Sequence, residues 1–278
     1  MAYLPSNSWY FPRLFTAGTA QSHMPFGLVI LRLLIKVRRR LRSQFFGIDH
    51  APVKVANQNT TSDRHMPTTI LLIRHGETDW NRAKVFRGRH DVPLNDNGRA
   101  QAGLVAEALR CREIDAAYTS PLSRATETAR ITLDPHRLEA VAEPAFTDFD
   151  YGEWTGHAET DVAVKWPEEL EQWQTIPQCA QPPGGDTLQD VYNRAFNTLE
   201  GLAASCHGQT VAVFAHRVVN KLLALGVLGL GLERFPFMMQ GNCCINEFER
   251  TDNGWLIHCL NDTAHMRSDR VDMLKEDF

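Results

Sequence analysis

Arg74, His75 and Gly76 stand in a row, followed by Glu77-Thr78-Asp79-Trp80-Asn81. A fork-shaped guanidinium grips phosphate oxygens through paired hydrogen bonds. An imidazole beside it can serve as nucleophile. Together they suit an anionic substrate. Alone, the pair reads equally well as a solvated loop after a strand. Two further signals weigh against that. Ala215-His216 puts a second histidine at the end of another apolar run, and Thr119-Ser120-Pro121-Leu122-Ser123-Arg124 puts a second arginine just after a third. If these runs share one sheet edge, Arg74, His75, Arg124 and His216 enclose a strongly electropositive pocket sized for a phosphoryl group. Such a pocket stabilises a transferring phosphoryl without a metal. The six cysteines form no C-x-x-C pair and no zinc-spaced set with histidine. No metal and no cofactor are expected.

The elements that must carry these residues follow from the pattern. Ile70-Leu71-Leu72-Ile73 is a short continuous apolar run, as in a buried strand of a parallel sheet. Residues 116–119, 138–141 and 210–215 read as further strands. Helices are expected from the Asp96-Asn97-Gly98 turn to Arg110, from Ser123 to Leu133, from Asp186 to Ser205 and from Val218 to Leu228. Asp252-Asn253-Gly254 between residues 243–249 and 255–260 signals a hairpin. Strands alternating with helices imply a three-layer α/β/α fold, with a doubly wound, mostly parallel sheet and an antiparallel edge. Residues 142–185 form a long irregular connection, a length that usually marks a lid.

The motifs taken together resemble the histidine phosphatase superfamily, in its phosphoglycerate mutase-like branch. The resemblance rests on 74–81, on Asp91-Val92-Pro93-Leu94-Asn95 with Gly98, and on 119–129. It also rests on Asp150-Tyr151-Gly152-Glu153-Trp154, on Pro183-Gly184-Gly185-Asp186-Thr187-Leu188 and on Ala215-His216. It spans 68–262 with motif order kept. It implies that His75 attacks phosphorus and becomes a phosphohistidine. Arg74, Arg124 and His216 would hold the phosphoryl oxygens. Asn81 and the Arg87-Gly88 backbone would line the entrance. Relatives carry a glutamate three residues before the Tyr-Gly pair as proton donor; here that position is Asp148, with Asp150 and Glu153 as alternatives. Arg217 stands where many relatives have glycine. It either adds a cation to the pocket or points to solvent.

Charge divides the chain. Residues 1–66 hold 9 Lys/Arg against 2 Asp/Glu, whereas the whole chain has a net charge of −4. The division predicts a disordered basic extension over 1–66 and a histidine phosphatase domain over 67–278, with its lid at about 142–185. The net acidity argues against nucleic-acid binding. Reduced, buried thiols fit a cytoplasmic protein. Nothing in the sequence signals an oligomeric state.

Residues 154–193 contain one lysine, Lys165, and seven acids: Glu159, Asp161, Glu168, Glu169, Glu171, Asp186 and Asp190. An acidic lid repels a second anion. The expectation is therefore a phosphomonoester hydrolase acting on a small phosphorylated metabolite with a neutral or weakly charged leaving group. The 2,3-bisphosphoglycerate-dependent phosphoglycerate mutase reaction is the alternative. A catalytically inactive phosphate-binding module is the third reading.

Within the extension, residues 26–46 put apolar side chains at 30, 33, 34, 37, 41 and 45 on one helical face, and Arg32, Lys36, Arg39 and Arg40 on another. Such a basic amphipathic helix can make weak contact with an anionic membrane surface. Co-sedimentation of residues 24–50 with anionic liposomes is the check: no lipid-bound fraction ends the anchor reading.

Overall fold

The structure, a computed structural model, describes residues 66–266. The stretch 26–46, with the rest of the extension up to residue 65, lies outside the described residues, as do residues 267–278. The six strands are β1 (Thr68–Arg74), β2 (Ala116–Thr119), β3 (Val141–Ala142), β4 (Thr210–Ala215), β5 (Ile245–Thr251) and β6 (Gly254–Asp262). They form one sheet in the order β3-β2-β4-β1-β5-β6. The first four run parallel, and the β5–β6 hairpin closes one edge antiparallel.

The helices are α1 (Asp79–Arg82), α2 (Asp96–Leu109), α3 (Ser123–Leu133), α4 (Glu159–Lys165), α5 (Pro167–Thr175), α6 (Leu188–Ser205) and α7 (Arg217–Leu228). Strand alternation decides which layer each packs in, because successive side chains point to opposite faces. Ile70 and Leu72 of β1 join a core with Val191, Ala195 and Leu199 of α6 and Val219, Leu222 and Leu223 of α7. Leu71 and Ile73 join a second core with Ala102, Val105 and Leu109 of α2 and Ala129 and Leu133 of α3. This is the expected three-layer arrangement. A strand covered on both faces must be apolar throughout, which is why β1 reads as a run and not an alternation. Among the described residues, no helix is long and apolar enough to cross a membrane.

Three local expectations change. The connection 142–185 is not irregular: it holds α4 and α5. Each buries a single residue, Val162 or Leu170, so neither writes a readable apolar stripe. The third strand is two residues long, Val141–Ala142, and begins at the last residue of the expected 138–141. The cap of α6 is Thr187 in a capping box with Asp190, not Asp186.

The loop after β1 is held against α2 at van der Waals limits. A Cβ on Gly76 would stand 2.5 Å from the Gly98 carbonyl oxygen, and one on Gly98 only 2.1 Å from the Glu77 carbonyl oxygen. Asn95 caps α2 by accepting from the Gly98 N–H at 2.8 Å, and donates to the Glu77 carboxylate at 2.9 Å. Glycine at 98 therefore sets how closely the loop after β1 docks. Gly98→Ala should lower stability by about 1–3 kcal/mol through overpacking, read as a fall in the denaturation midpoint. An unchanged midpoint would show that the contact is not limiting.

Candidate active site

Three strands deliver the site at their carboxyl ends. β1 ends in Arg74 and leads to His75; β4 leads to His216, the N-cap of α7; β2 leads to Ser120, with Arg124 in the first turn of α3. β1 and β4 are neighbours in register, with Arg74 opposite Ala215, so the two histidines are adjacent. Their ring centroids lie 5.2 Å apart. Arg74, His75, Arg124 and His216 are all fully buried, and Asp148 nearly so.

The His75 ring is fixed in one tautomer. Its Nδ1 lies 2.6 Å from the Gly76 carbonyl oxygen, which can only accept, so Nδ1 carries the proton and Nε2 the lone pair. Nε2 is buried without a hydrogen-bond partner among the described residues. The backbone beneath is held as firmly. The His75 carbonyl accepts from Asn242 Nδ2 at 3.1 Å and from the Cys243 N–H at 3.3 Å, while Arg74 donates to the Gln240 carbonyl.

Asp148 sits among cations. Arg124 donates to its Oδ2 at 3.1 Å, and also to the Gly88 carbonyl at 2.7 Å and the His90 carbonyl at 2.9 Å. His216 Nδ1 faces the same carboxylate oxygen at 3.5 Å, and its Nε2 lies 2.7 Å from Ser120 Oγ. At its 3.5 Å separation His216 Nδ1 makes no hydrogen bond among the described residues. Asp150 and Glu153 are not brought to this centre. Asp150 lies in an exposed network with Arg89, and Glu153 is exposed.

Burial and like charge set the protonation states. Burial, then Arg124, His216, Arg74 and Arg87, hold His75 well below the usual imidazole value. Burial is also the main cause that lowers His216, to about 3, against the pull of Asp148. Burial pushes the Asp148 carboxyl up, but His216, Arg124 and Arg87 outweigh it and leave the carboxyl below its ordinary value. Two neutral imidazoles and one carboxylate thus share a pocket with guanidiniums that stay charged.

Beside this centre opens a cavity of about 330 Å³. Asn81, Arg87, Gly88 and Asp148 line it, so the three expected entrance residues and the carboxyl meet one space. Asn81 also closes the capping box of α1 with Thr78. Gly88 adopts a left-handed φ of 54° and turns its carbonyl toward Arg124. Arg217 lines the cavity too, which overturns the solvent-pointing alternative.

The acidic-lid argument fails here. Of the seven acids only Glu159 reaches the cavity, whereas Lys84, Arg87, Arg217 and Lys221 all line it. Asp186 and Asp190 are engaged with Arg89 and Thr187; Asp161, Glu168 and Glu171 are exposed, and Glu169 is half-buried but does not line the cavity. Composition counts charges but not the direction in which short helices point them. Ser120, Gln240, Asn242 and Lys221 were missed. Only Ser120, at a strand end next to Arg124, carried a signal that could have flagged it.

An α/β sheet with imidazoles and guanidiniums at its strand ends, opening on a cleft, is the arrangement of an anion-handling enzyme. Residues 70–263 match the family described as histidine phosphatase superfamily (branch 1), and the chain belongs to that superfamily, as an enzyme of its phosphatase kind. Phosphoserine phosphatase 1 of Hydrogenobacter thermophilus is 31% identical over 71% of this chain and 93% of its own. The 2,3-bisphosphoglycerate-dependent phosphoglycerate mutase of Rhizobium etli is 35% identical over 60% and 86%. The solved structure of Bacillus stearothermophilus YhfR superposes with a TM-score of 0.69 at 26% identity, over 72% of this chain and 99% of that one.

The buried histidines make a stability prediction. In the unfolded chain both take up protons near pH 6.5, while in the fold they stay neutral to much lower pH. Below pH 6.5 the unfolded state binds more protons, so stability falls as pH falls. For His216 this window runs from about 6.5 to about 3. His216→Asn should flatten the slope by up to about 1.4 kcal/mol per pH unit. Denaturation midpoints between pH 7 and 4 provide the measurement, and an unchanged slope overturns the assignment of a neutral buried His216.

Proposed function

We propose that this chain is a phosphomonoester hydrolase that works through a phosphohistidine on His75, with a small phosphorylated metabolite as substrate. The observation that carries the reading is the His75 Nε2 lone pair, buried and unpartnered among the described residues, beside Arg74, Arg124, His216 and Asp148. In the first step Nε2 attacks phosphorus. Arg74, Arg124 and His216 take the charge on the phosphoryl oxygens, and the bond to the leaving oxygen breaks. Asp148 gives that oxygen its proton. The entering phosphoryl dianion offsets the cations that hold the carboxyl low, so the substrate itself raises the proton affinity of Asp148. In the second step Asp148 takes a proton from water, the water oxygen attacks phosphorus, the N–P bond breaks and phosphate departs.

The mutase reading is favoured by two observations, the mutase relative and the cations on the cavity wall. It differs only in the final acceptor, a retained second substrate in place of water. The hydrolase reading is supported by the phosphoserine phosphatase relative, matched over 93% of its length. A panel of phosphomonoesters separates the two. Release of inorganic phosphate from several esters is expected; efficient conversion of 3- to 2-phosphoglycerate with little phosphate released reverses the choice.

Two variants test the roles. His75→Ala should abolish an acid-labile labelled phosphoenzyme and lower turnover by about a thousandfold or more. Asp148→Asn should cost about 10²–10⁴ in kcat/KM on alkyl phosphates, a quantity that does not include the later water step both esters share, and far less on p-nitrophenyl phosphate, whose leaving oxygen needs no proton. Equal losses on both ester types would remove Asp148 from the proton-donor role.

A further inference from the structure

We infer that the buried side-chain amides of Gln240 and Asn246 form a clamp that sets where the Arg74 guanidinium points, and that Asn246, which never meets substrate, is a positioning residue for phosphoryl transfer. The inference rests on the hydrolase reading, in which Arg74 takes charge on the phosphoryl oxygens.

Arg74 needs such a device. An arginine side chain has many rotamers, and a guanidinium stabilises developing charge best where it is already aimed. Arg74 donates through Nη1 to the backbone carbonyl of Gln240. The segment carrying that carbonyl, residues 238–244 just ahead of β5, belongs to no helix or strand. No ladder therefore fixes it. The same segment grips the backbone of both site residues. The Cys244 carbonyl accepts from the Arg74 N–H at 3.3 Å, and the Cys243 N–H and Asn242 Nδ2 donate to the His75 carbonyl. Whatever locks this segment locks Arg74.

The lock is Asn246. Gln240 Nε2 donates to Asn246 Oδ1 at 2.8 Å, and Asn246 Nδ2 donates back to Gln240 Oε1 at 2.9 Å, which closes a pair of amides. Cys244 Sγ also donates to Gln240 Oε1, at 3.1 Å. Asn246 is anchored on its far side. Its Nδ2 donates to the Leu72 carbonyl of β1 at 3.0 Å, and its Oδ1 accepts from the Asn261 N–H of β6 at 2.8 Å. Both donors and both lone pairs of the amide are thereby used. The β5–β6 register shifts around this residue, and the side chain fills the break in the ladder. Asn261 adds a second tie, accepting from the Gly241 N–H at 2.7 Å through its Oδ1. Gln240 and Asn246 are both buried. Each such hydrogen bond adds only modest net stability, but a fully satisfied buried network specifies a single arrangement. Placement is what this one serves. Asn246 pairs with Leu72, two residues before Arg74, yet is absent from the cavity wall.

In the full chain, Gln240→Met keeps the backbone carbonyl and removes the amide, and Asn246→Ala removes its partner. Each should lower kcat/KM for p-nitrophenyl phosphate by about tenfold to a hundredfold, the scale of a small misplacement of a catalytic group. A double-mutant cycle with Arg74→Ala separates aiming from general loosening. In that background the same changes should cost less than about threefold, because the group they aim is gone. Gln240→Met alone carries the test if Asn246→Ala does not fold. A loss below about threefold with Arg74 present, or a loss of about threefold or more that persists in Arg74→Ala, overturns the clamp and leaves the hydrolase reading intact. If the wild type hydrolyses no ester, the hydrolase reading fails, and orthovanadate affinity measured by calorimetry decides the clamp. Weakening of about tenfold or more in Gln240→Met that vanishes in the Arg74→Ala background supports it. Any other result, including no vanadate binding by the wild type, overturns it.

Discussion

One carboxylate holds a crowd of cations together. Asp148 accepts from Arg124 and faces His216, in a space whose other charges are Arg74 and Arg87. Without it, buried guanidiniums would repel one another at low dielectric. With it, the guanidiniums stay charged; the imidazoles stay neutral through burial and the neighbouring cations, against the pull of the carboxylate on His216. A buried His75 whose Nε2 keeps its lone pair goes with that arrangement.

The fold serves this arrangement by separating what must be rigid from what must be selective. His75, His216 and Arg124 hang from adjacent parallel strands, with their backbones tied by β1–β4 pairing and by the turn ahead of β5. The cavity walls come instead from α1 and its following loop, from α4 and α5, and from the face of α7. The buried cluster of histidines and guanidiniums and the cavity therefore draw on largely different elements. They meet at Asp148, which belongs to neither a strand nor a helix.

Much of this was legible in the residues. Unbroken apolar runs at 70–73 and 210–215 announced central strands, and each run ended in the histidine that the sheet brings to its edge. The position of Asp148 before Tyr151-Gly152 marked the one carboxylate of the three that the structure buries beside Arg124 and His216. What was not legible depended on direction. α4 and α5 bury one residue each, too little for a period, so the orientation of their acids could not be read and a charge count stood in for it. Lys221 looked like an ordinary helix lysine, because nothing local shows which face of α7 looks into a cavity. Gln240 and Asn242 act through a backbone carbonyl across the sheet, a contact that only tertiary pairing creates.

Asn81 ties local order to recognition. Its side chain secures the turn that starts α1, and the residue also borders the cavity. A residue with two such contacts is hard to replace: any exchange that reshapes this corner also loosens the bend that follows His75. Divergence of preference among chains of this type would then accumulate on the opposite bank, where a helix surface can be rewritten without disturbing a bend.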